Sequence, residues 1–196
     1  MDMDFSNLFS VAGKTVVITG GSRGIGEMIA AGFLANGAKV IISSRKADAC
    51  EETVERLKAK YGGEIYAIPS DVGQMVGIEH LANTLAEREE KVDVLVNNAG
   101  GYRLFTNNLS HQVSVADITE EEWQRVIHSN VTTAFLSCKA VLPHMMERGS
   151  GSIINLTSRN VARKGRAGAA AYGAAKAAVE RLTESMAEEL IGNGIA

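Results

Sequence analysis

The chain is poor in several features that mark large classes of protein. Only 5% of its 196 residues are aromatic, and it has only two cysteines, Cys50 and Cys138. Because they lie far apart in helix-like segments, and disulfides are rare in the cytosol, both are expected to be reduced and buried. No apolar run approaches the roughly 18 residues of a membrane span. The N-terminus is acidic and lacks an apolar signal core, so a cytoplasmic location is expected.

Three kinds of chemistry also lack their usual residues. A net charge of −3 offers no basic footprint for nucleic acid. The four histidines, His80, His111, His128 and His144, show no metal-ligand spacing with one another. Ser158 has no Gly-x-Ser-x-Gly elbow, so nucleophilic hydrolysis is not expected either. Nucleic acid, a membrane and a metal are therefore not expected among the partners of this chain.

What the chain does have is a regular alternation of short apolar runs and longer amphipathic segments. Strands are predicted at 14–19, 39–43, 64–68, 92–96 and 152–156. Helices are predicted at 24–36, through Cys50–Tyr61, around Ile78–Leu85, and at 120–148 and 169–190. The helix at 120–148 should turn five apolar side chains towards the core, namely those of Trp123, Val126, Ile127, Phe135 and Leu142. This alternation predicts an α/β fold with a doubly wound parallel sheet, strand order 3-2-1-4-5, and ligands at its carboxyl edge.

A glycine-rich loop follows the first predicted strand. Thr19–Gly26 has glycines at 20, 24 and 26, in a Gly-x-x-x-Gly-x-Gly pattern that opens a helix. The first glycine allows a tight turn, the second lets the backbone approach a pyrophosphate, and the third lets helix and strand pack closely. The helix N-terminus adds amide donors. The loop predicts a dinucleotide site, although glycines also form ordinary turns.

The end of the second strand bears on which dinucleotide is bound. NAD sites usually place an Asp or Glu there for the ribose 2′-hydroxyl, and Ser43–Lys46 contains neither. Arg45, together with Arg23, could instead hold a 2′-phosphate through charge-assisted bonds. We therefore expect NADP (NADPH) to be preferred, with NAD possible. The alternative is that Arg45 and Lys46 are only the solvated start of a helix.

Polar residues follow the third and fourth strands and interrupt a later helix. Asp71 could accept a hydrogen bond from an adenine amino group while Val72 packs on the ring, or Asp71 could cap the next helix. In Asn97–Gly100, small residues permit close cofactor approach and the asparagine amides can tie neighbouring strands. Asn130 lies mid-helix, where asparagine is unfavourable. It could bond a water or a backbone carbonyl at a kink.

An acid/base pair is predicted on the last helix. Tyr172 and Lys176 are separated by four residues, which places them on one helix face about 6 Å apart along the axis. A nearby ammonium favours the phenolate and lowers the tyrosine pKa, so the phenol can exchange a proton with a carbonyl or an alcohol near neutral pH. Alone, Tyr-x-x-x-Lys occurs by chance on many surface helices.

Together these motifs resemble those of the short-chain dehydrogenase/reductase family, from about Lys14 onward. The matching positions, in order, are Thr19-Gly-x-x-x-Gly-Ile-Gly26, Asp71, Asn97-Asn-Ala-Gly100, Asn130, Ser158 and Tyr172-x-x-x-Lys176. The chain is most similar to the single-domain type that includes 3-oxoacyl-carrier-protein reductases and sugar, steroid and polyol dehydrogenases. The resemblance implies a Rossmann fold and hydride transfer between a nicotinamide and a carbonyl or alcohol substrate.

The resemblance also implies a role for each matching residue. Tyr172 would be the acid/base, Lys176 would lower its pKa and bind the nicotinamide ribose, and Ser158 would hold the substrate oxygen. Asn130 would anchor a water that relays protons through Lys176. The expected cofactor-binding residues are Gly20, Ser22, Arg23, Gly24, Ile25, Gly26, Ser44, Arg45, Asp71, Val72, Asn98, Ala99, Gly100, Tyr172 and Lys176.

Two segments depart from the pattern of the family. The stretch 101–118 is longer than most relatives have there, so we expect an extra loop near the substrate side, in which His111 is solvated. Before Tyr172, a basic cluster either favours an anionic substrate, such as an acyl thioester, or forms a solvated loop. The members of this cluster are Arg159, Arg163, Lys164 and Arg166.

We expect residues 1–196 to form a single dinucleotide-binding and catalytic domain that is incomplete at its C-terminus. Gly192–Ala196 ends a helix and starts a strand, whereas such sheets usually have a further strand beside the fifth. A homo-oligomer is expected when the chain is complete. Two alternatives stay open: a dinucleotide-binding module without turnover, and a fragment that does not fold stably alone.

Overall fold

A parallel sheet forms the centre of the computed structural model, which describes residues 9–88, 90–101, 114–159 and 168–196. Its strands are β1 (Thr15–Thr19), β2 (Lys39–Ser43), β3 (Ile65–Ala67), β4 (Val92–Asn97) and β5 (Ser152–Asn155). Every paired strand runs parallel to its neighbour, in the order β3-β2-β1-β4-β5. The predicted strand order is confirmed, and each predicted strand agrees with an observed one to within a residue or two.

Helices cover both faces of this sheet. They are α1 (Gly24–Ala35), α2 (Ala47–Tyr61), α3 (Met75–Glu87), α4 (Glu120–Ile127), α5 (Thr133–Arg148) and α6 (Ala170–Leu190). A short 3₁₀ turn spans Val115–Asp117, and a π-helical turn spans His128–Thr132. Within the described ranges, none of these helices is long and apolar enough to cross a membrane.

Neighbouring strand residues point to opposite faces, which produces two apolar cores. On one face, strand residues such as Ile18 and Ile42 pack with α1 and α2. On the other face, strand residues such as Val17 and Leu95 pack with α3 and α5. Cys50 and Cys138 are buried in separate cores and unpaired, as predicted, and burial raises the pKa of the Cys138 thiol to about 11. This layering is the expected three-layer α/β/α Rossmann arrangement.

The single helix predicted for 120–148 was wrong in one respect. The π-helical turn separates α4 from α5 and adds a residue that rotates the following side chains by about 100°. Trp123 and Phe135 were both expected inside, but they are 41% and 47% exposed. The prediction treated two helices of different rotational phase as a single helix with one apolar face. Val126, next to the turn, is buried as expected.

The last residues run beside the outer edge of β5. A parallel bridge joins Gly151 to Ile195, and the Ala196 amide donates to the Gly151 carbonyl at 3.0 Å. The Ile153 amide donates to the Ala196 carbonyl at 2.7 Å. The start of a strand predicted after Gly192 is therefore present in the fold.

A pair of adjacent methionines on α5 tests the packing of the core. Met145 is fully buried, whereas its neighbour Met146 is 45% exposed. Met145→Ala should lower the free energy of unfolding by about 2–5 kcal/mol, because it removes buried methylenes and leaves a cavity. Met146→Ala is the matched control and should change it by less than about 0.5 kcal/mol. Urea denaturation measures both, and equal effects would contradict the assigned helix phase.

Candidate active site

The glycine-rich loop lies between the end of β1 and the start of α1. Gly20 has a φ of +68°, a backbone conformation that favours glycine, and its amide donates to the Ser43 carbonyl at 2.7 Å. A Cβ on Gly26 would lie 2.3 Å from the Gly20 carbonyl oxygen. The first and third glycines thus permit the tight turn and the close helix–strand packing that the sequence predicted.

The N-terminus of α1 has the features of an anion site. Its N-cap residue, Arg23, has an extended backbone and accepts no side-chain capping bond. The first amides of the helix therefore keep their hydrogens available for an external acceptor, and the helix dipole adds partial positive charge there. Arg23 and Arg45 are both exposed, and the Ser22 amide donates to Ser44 Oγ at 3.4 Å. This donor set fits the phosphates of a dinucleotide.

The ends of β1 and β4 are joined by an asparagine and a threonine. Asn98 Nδ2 donates to the carbonyls of Thr19 and Gly20, at 3.0 and 3.1 Å. Thr19 Oγ1 accepts the backbone amides of Asn98 and Ala99, at 3.2 and 3.1 Å. The predicted tie between strands is confirmed. The sequence analysis placed Thr19 at the start of the glycine motif but assigned no role to its hydroxyl, which accepts both amide bonds.

A second tie joins β4 to β5 at the carboxyl edge of the sheet. Asn97 Nδ2 donates to Asn155 Oδ1 at 2.8 Å, and Asn155 Nδ2 donates to Thr183 Oγ1 at 2.9 Å. Thr183 lies on α6, so this relay connects the two strands with the helix that presents Tyr172.

The structure places Asp71 and Val72 in different environments. Asp71 is exposed, and its Oδ1 accepts the Gly73 amide at 3.2 Å, so it forms a local turn; the N-cap of α3 is Gln74. Val72 is only 6% exposed and packs in the core with α3. His128 Nε2 lies 2.6 Å from the Gly73 carbonyl oxygen and must be the donor, because a carbonyl only accepts. His128, which sequence reasoning missed, connects this turn with the π-helical turn.

Asn130 is the centre of the π-helical turn. Its Nδ2 donates to the carbonyls of Val126 and Gly101, at 2.9 and 3.0 Å, so the predicted bond to a backbone carbonyl at a kink is confirmed. Gly100 has a φ of +142°, and a Cβ there would lie 2.6 Å from Asn130 Oδ1. That Oδ1 is buried and has no hydrogen-bond partner among the described residues. The asparagine therefore stabilises an irregular turn through its Nδ2, while its Oδ1 is available to accept a further hydrogen bond.

Tyr172 and Lys176 lie on the first turns of α6, against that same π-helical turn. Tyr172 packs against the buried cluster of Val126, Ala171 and Ala175, and Lys176 Nζ lies 5.9 Å from the centre of the Tyr172 ring. Lys176 Nζ also donates to the Leu156 carbonyl at 2.8 Å, two residues before Ser158. The structure thus brings Asn130, Tyr172 and Lys176 to the carboxyl edge of the sheet, with Ser158 three residues after β5.

Burial lowers the pKa of the Lys176 ammonium, because the lysine is only 6% exposed and its charged form loses hydration. A buried lysine at the edge of a cleft is a common element of functional sites. Among the described residues, no group of three or more His, Cys, Asp or Glu side chains could hold a metal ion. His111, Arg163, Lys164 and Arg166 lie outside the described residues.

The lowered pKa of Lys176 predicts how stability depends on pH. At pH values between the lowered pKa of Lys176 in the folded protein and its pKa of about 10.4 in the unfolded chain, the unfolded state binds more protons. The free energy of unfolding therefore rises with pH in that window. We expect the unfolding free energy of the wild type, minus that of Lys176→Met, to increase from neutral pH towards pH ~10. Lys46→Met, at an exposed position, is the matched control. Urea titrations that gave a pH-independent difference would contradict this burial penalty.

Comparisons with known proteins agree with this geometry. The family model described as short chain dehydrogenase matches residues 14–196. A rhamnolipids biosynthesis 3-oxoacyl-[acyl-carrier-protein] reductase of Pseudomonas aeruginosa is 38% identical over 192 residues, covering 95% of this chain and 71% of that protein. A 5-keto-D-gluconate 5-reductase of Escherichia coli is 36% identical over 190 residues, covering 97% and 71%.

A solved structure shares both the fold and much of the sequence. The Pseudomonas aeruginosa RhlG/NADP active-site complex superposes with a TM-score of 0.82 at 38% identity, covering 95% of this chain and 70% of that one. The family match extends from just before β1 to the last residue and includes every element of the site described above. The chain therefore belongs to the short-chain dehydrogenase family.

Proposed function

We propose that the chain is an NADP-preferring oxidoreductase that transfers a hydride between the nicotinamide and a carbonyl or alcohol substrate, with Tyr172 as acid/base. The observation that supports it most directly is the placement of Tyr172 and Lys176 on α6, against the turn that contains Asn130. When bound, the dinucleotide supplies the hydride, and the protein supplies position, a proton and electrostatics. Residues 1–196 would act as one dinucleotide-binding and catalytic domain.

In this mechanism the Tyr172 hydroxyl gives a proton to the carbonyl oxygen, or takes one from the alcohol. Lys176 lowers the free energy of the phenolate by its charge and, with the cofactor bound, binds the nicotinamide ribose. Ser158 donates to the same substrate oxygen and stabilises charge that develops there. Asn130 holds a water, for which its unpaired Oδ1 is an available acceptor, and protons pass through Lys176.

The preference for NADP would come from Arg23 and Arg45. Both are exposed, one at the N-cap of α1 and the other two residues after β2, and Ser44 lies between β2 and Arg45 as a further donor. A guanidinium can bind a phosphate through two parallel hydrogen bonds, which a ribose hydroxyl cannot match. Asp71 would bind the adenine amino group, while Asn98, Ala99 and Gly100 would line the route of the cofactor. The NADP in the related solved complex is consistent with this proposal.

The substrate would be a small carbonyl or alcohol compound. Relatives include reductases named for 3-oxoacyl-[acyl-carrier-protein] and one named for 5-keto-D-gluconate, which is a carboxylate. Arg159, the described member of the basic cluster, is exposed just after Ser158. We favour an anionic carbonyl substrate. Equal kcat/KM for anionic and neutral substrates of similar size would contradict that preference.

A homo-oligomer stays a prediction. It is supported by large apolar side chains that remain exposed on α4 and α5, namely Trp123, Phe135 and Met146. A single-chain mass in light scattering at micromolar concentration would contradict it.

Replacing the proposed acid/base tests the reaction. Tyr172→Phe removes only the hydroxyl, so kcat should fall by about 10²–10⁴-fold. NADPH should still raise its melting temperature, because the glycine loop is untouched. Stopped assays of NADPH oxidation with a panel of carbonyl compounds measure the first effect, and a thermal melt measures the second. A wild type that binds NADPH but oxidises it with no carbonyl would favour the alternative of a binding module without turnover.

A pair of neighbouring charge reversals tests the cofactor preference. Arg45→Asp should reduce the ratio of NADPH to NADH affinity by about ten- to a hundredfold, because it replaces a charge-assisted donor by a repelling carboxylate. Lys46→Asp makes the same change of charge one residue later and is the matched control. Fluorescence titration with NADPH and with NADH measures the dissociation constants of the wild type and of both variants. If both variants shift the ratio equally, general electrostatics and not a specific contact of Arg45 would explain the preference.

A further inference from the structure

A threonine from α2 reaches the phosphate-binding loop. Thr53 is only 1% exposed, and its Oγ1 donates to the Ser22 carbonyl at 2.9 Å. A threonine within a helix commonly bonds a carbonyl one turn back in the same helix. Thr53 instead bonds a residue 31 positions earlier in the chain. The bond therefore holds a loop in place and is not part of the helix that supplies it.

This bond determines where the next amide points. In a trans peptide the carbonyl and the amide N–H point in opposite directions. With the Ser22 carbonyl directed at α2, the Arg23 N–H is directed away from α2 and joins the uncapped amides at the start of α1. Holding one carbonyl thus orients a donor of the proposed phosphate site before any ligand arrives.

A salt bridge completes the arrangement. Arg56, one turn after Thr53, donates from Nη2 to Thr53 Oγ1 at 3.2 Å and to Glu27 Oε1 at 2.8 Å. Because Arg56 occupies the acceptor side of the threonine hydroxyl, the hydroxyl hydrogen is left to point at Ser22. Glu27 lies in the first turn of α1, where an unpaired carboxylate would repel a bound phosphate.

We propose that Thr53 and Arg56 form a brace that positions the phosphate-binding loop for a nicotinamide dinucleotide, with Thr53 as the positioning residue. The proposal rests on the proposed cofactor function. The packing of α1 on α2 does not need the brace, because Ala30, Leu34, Cys50 and Leu57 already form an apolar core between these helices and the sheet. The brace therefore acts mainly on the order of the loop and on the affinity for the cofactor.

Substitutions at Thr53 separate positioning from packing. Thr53→Val keeps the shape and removes the hydroxyl, so the dissociation constant for NADPH should rise by about five- to tenfold as the loop must be ordered on binding. Thr53→Ser keeps the hydroxyl and loses a methyl group, so it should lower the melting temperature yet restore the wild-type affinity. Thr84→Val, on α3 far along the chain, is the control for the substitution itself. Equal affinity of Thr53→Val and the wild type would overturn the proposal.

The salt bridge has its own pair of variants. Arg56→Met leaves Glu27 unpaired and should weaken NADPH binding by about two- to fivefold, a modest effect because Arg56 is half exposed. Adding Glu27→Gln in that background should restore the affinity. If the double variant binds no better than Arg56→Met, Arg56 does not act by neutralising Glu27.

Hydrogen exchange in the absence of cofactor separates failure of this proposal from failure of the proposed function. In the free protein, Thr53→Val should speed amide exchange at Gly21 and Ser22, whose amides donate to the Ser43 carbonyl and to Ser44 Oγ, and Thr53→Ser should not. If the wild type fails to bind NADPH, the cofactor function is wrong, and the exchange rates alone decide whether the brace orders the loop. Unchanged exchange in Thr53→Val would show that it does not.

Discussion

The site depends on the hydrogen bonds with which Asn98 and Thr19 hold the ends of β1 and β4 together. These strands are neighbours in the sheet, and the helices that follow them, α1 and α5, pack on opposite faces, the arrangement at which ligands bind in sheets of this type. Asn98 Nδ2 bonds two successive carbonyls of the glycine-loop entrance, and Thr19 Oγ1 accepts two amides in return. These bonds therefore hold the proposed phosphate-binding loop next to the segment that follows β4.

From this point, part-buried polar contacts lead to α6, the helix that carries the proposed acid/base pair, Tyr172 and Lys176. Asn97 in β4 donates a hydrogen bond to Asn155 in β5, and Asn155 donates one to Thr183 in α6. The same helix is held at its start by Lys176, whose ammonium bonds the Leu156 carbonyl. Each contact joins an element of the sheet edge to the next one. Replacing Asn97 or Asn155 would therefore leave its hydrogen-bond partners unsatisfied, and that penalty exceeds the contribution of the bond itself.

Much of the fold and of the candidate site could be predicted from the sequence, and the features that could not be predicted have physical reasons. Short apolar runs predict the strands and their order, and the loop of glycines predicts the turn after β1, because both are local patterns in the sequence. The positions of Trp123 and Phe135 could not be predicted, since helical periodicity assumes an uninterrupted helix. Asn130 was a visible anomaly, but the π-helical turn that it stabilises was not. Thr53 and His128 were missed because their partners lie 31 and 55 residues away.

The π-helical turn has a consequence for how this protein can change over time. One additional residue in five places α5 in the rotational phase that buries Met145 and Val141 while Asn130 faces Gly100. Deleting any single residue from 128–132 would repair the helix and improve its local hydrogen bonding, yet it would turn every side chain of either α4 or α5 away from its present neighbours. The number of residues in this segment is therefore more strongly constrained than the identity of most of them.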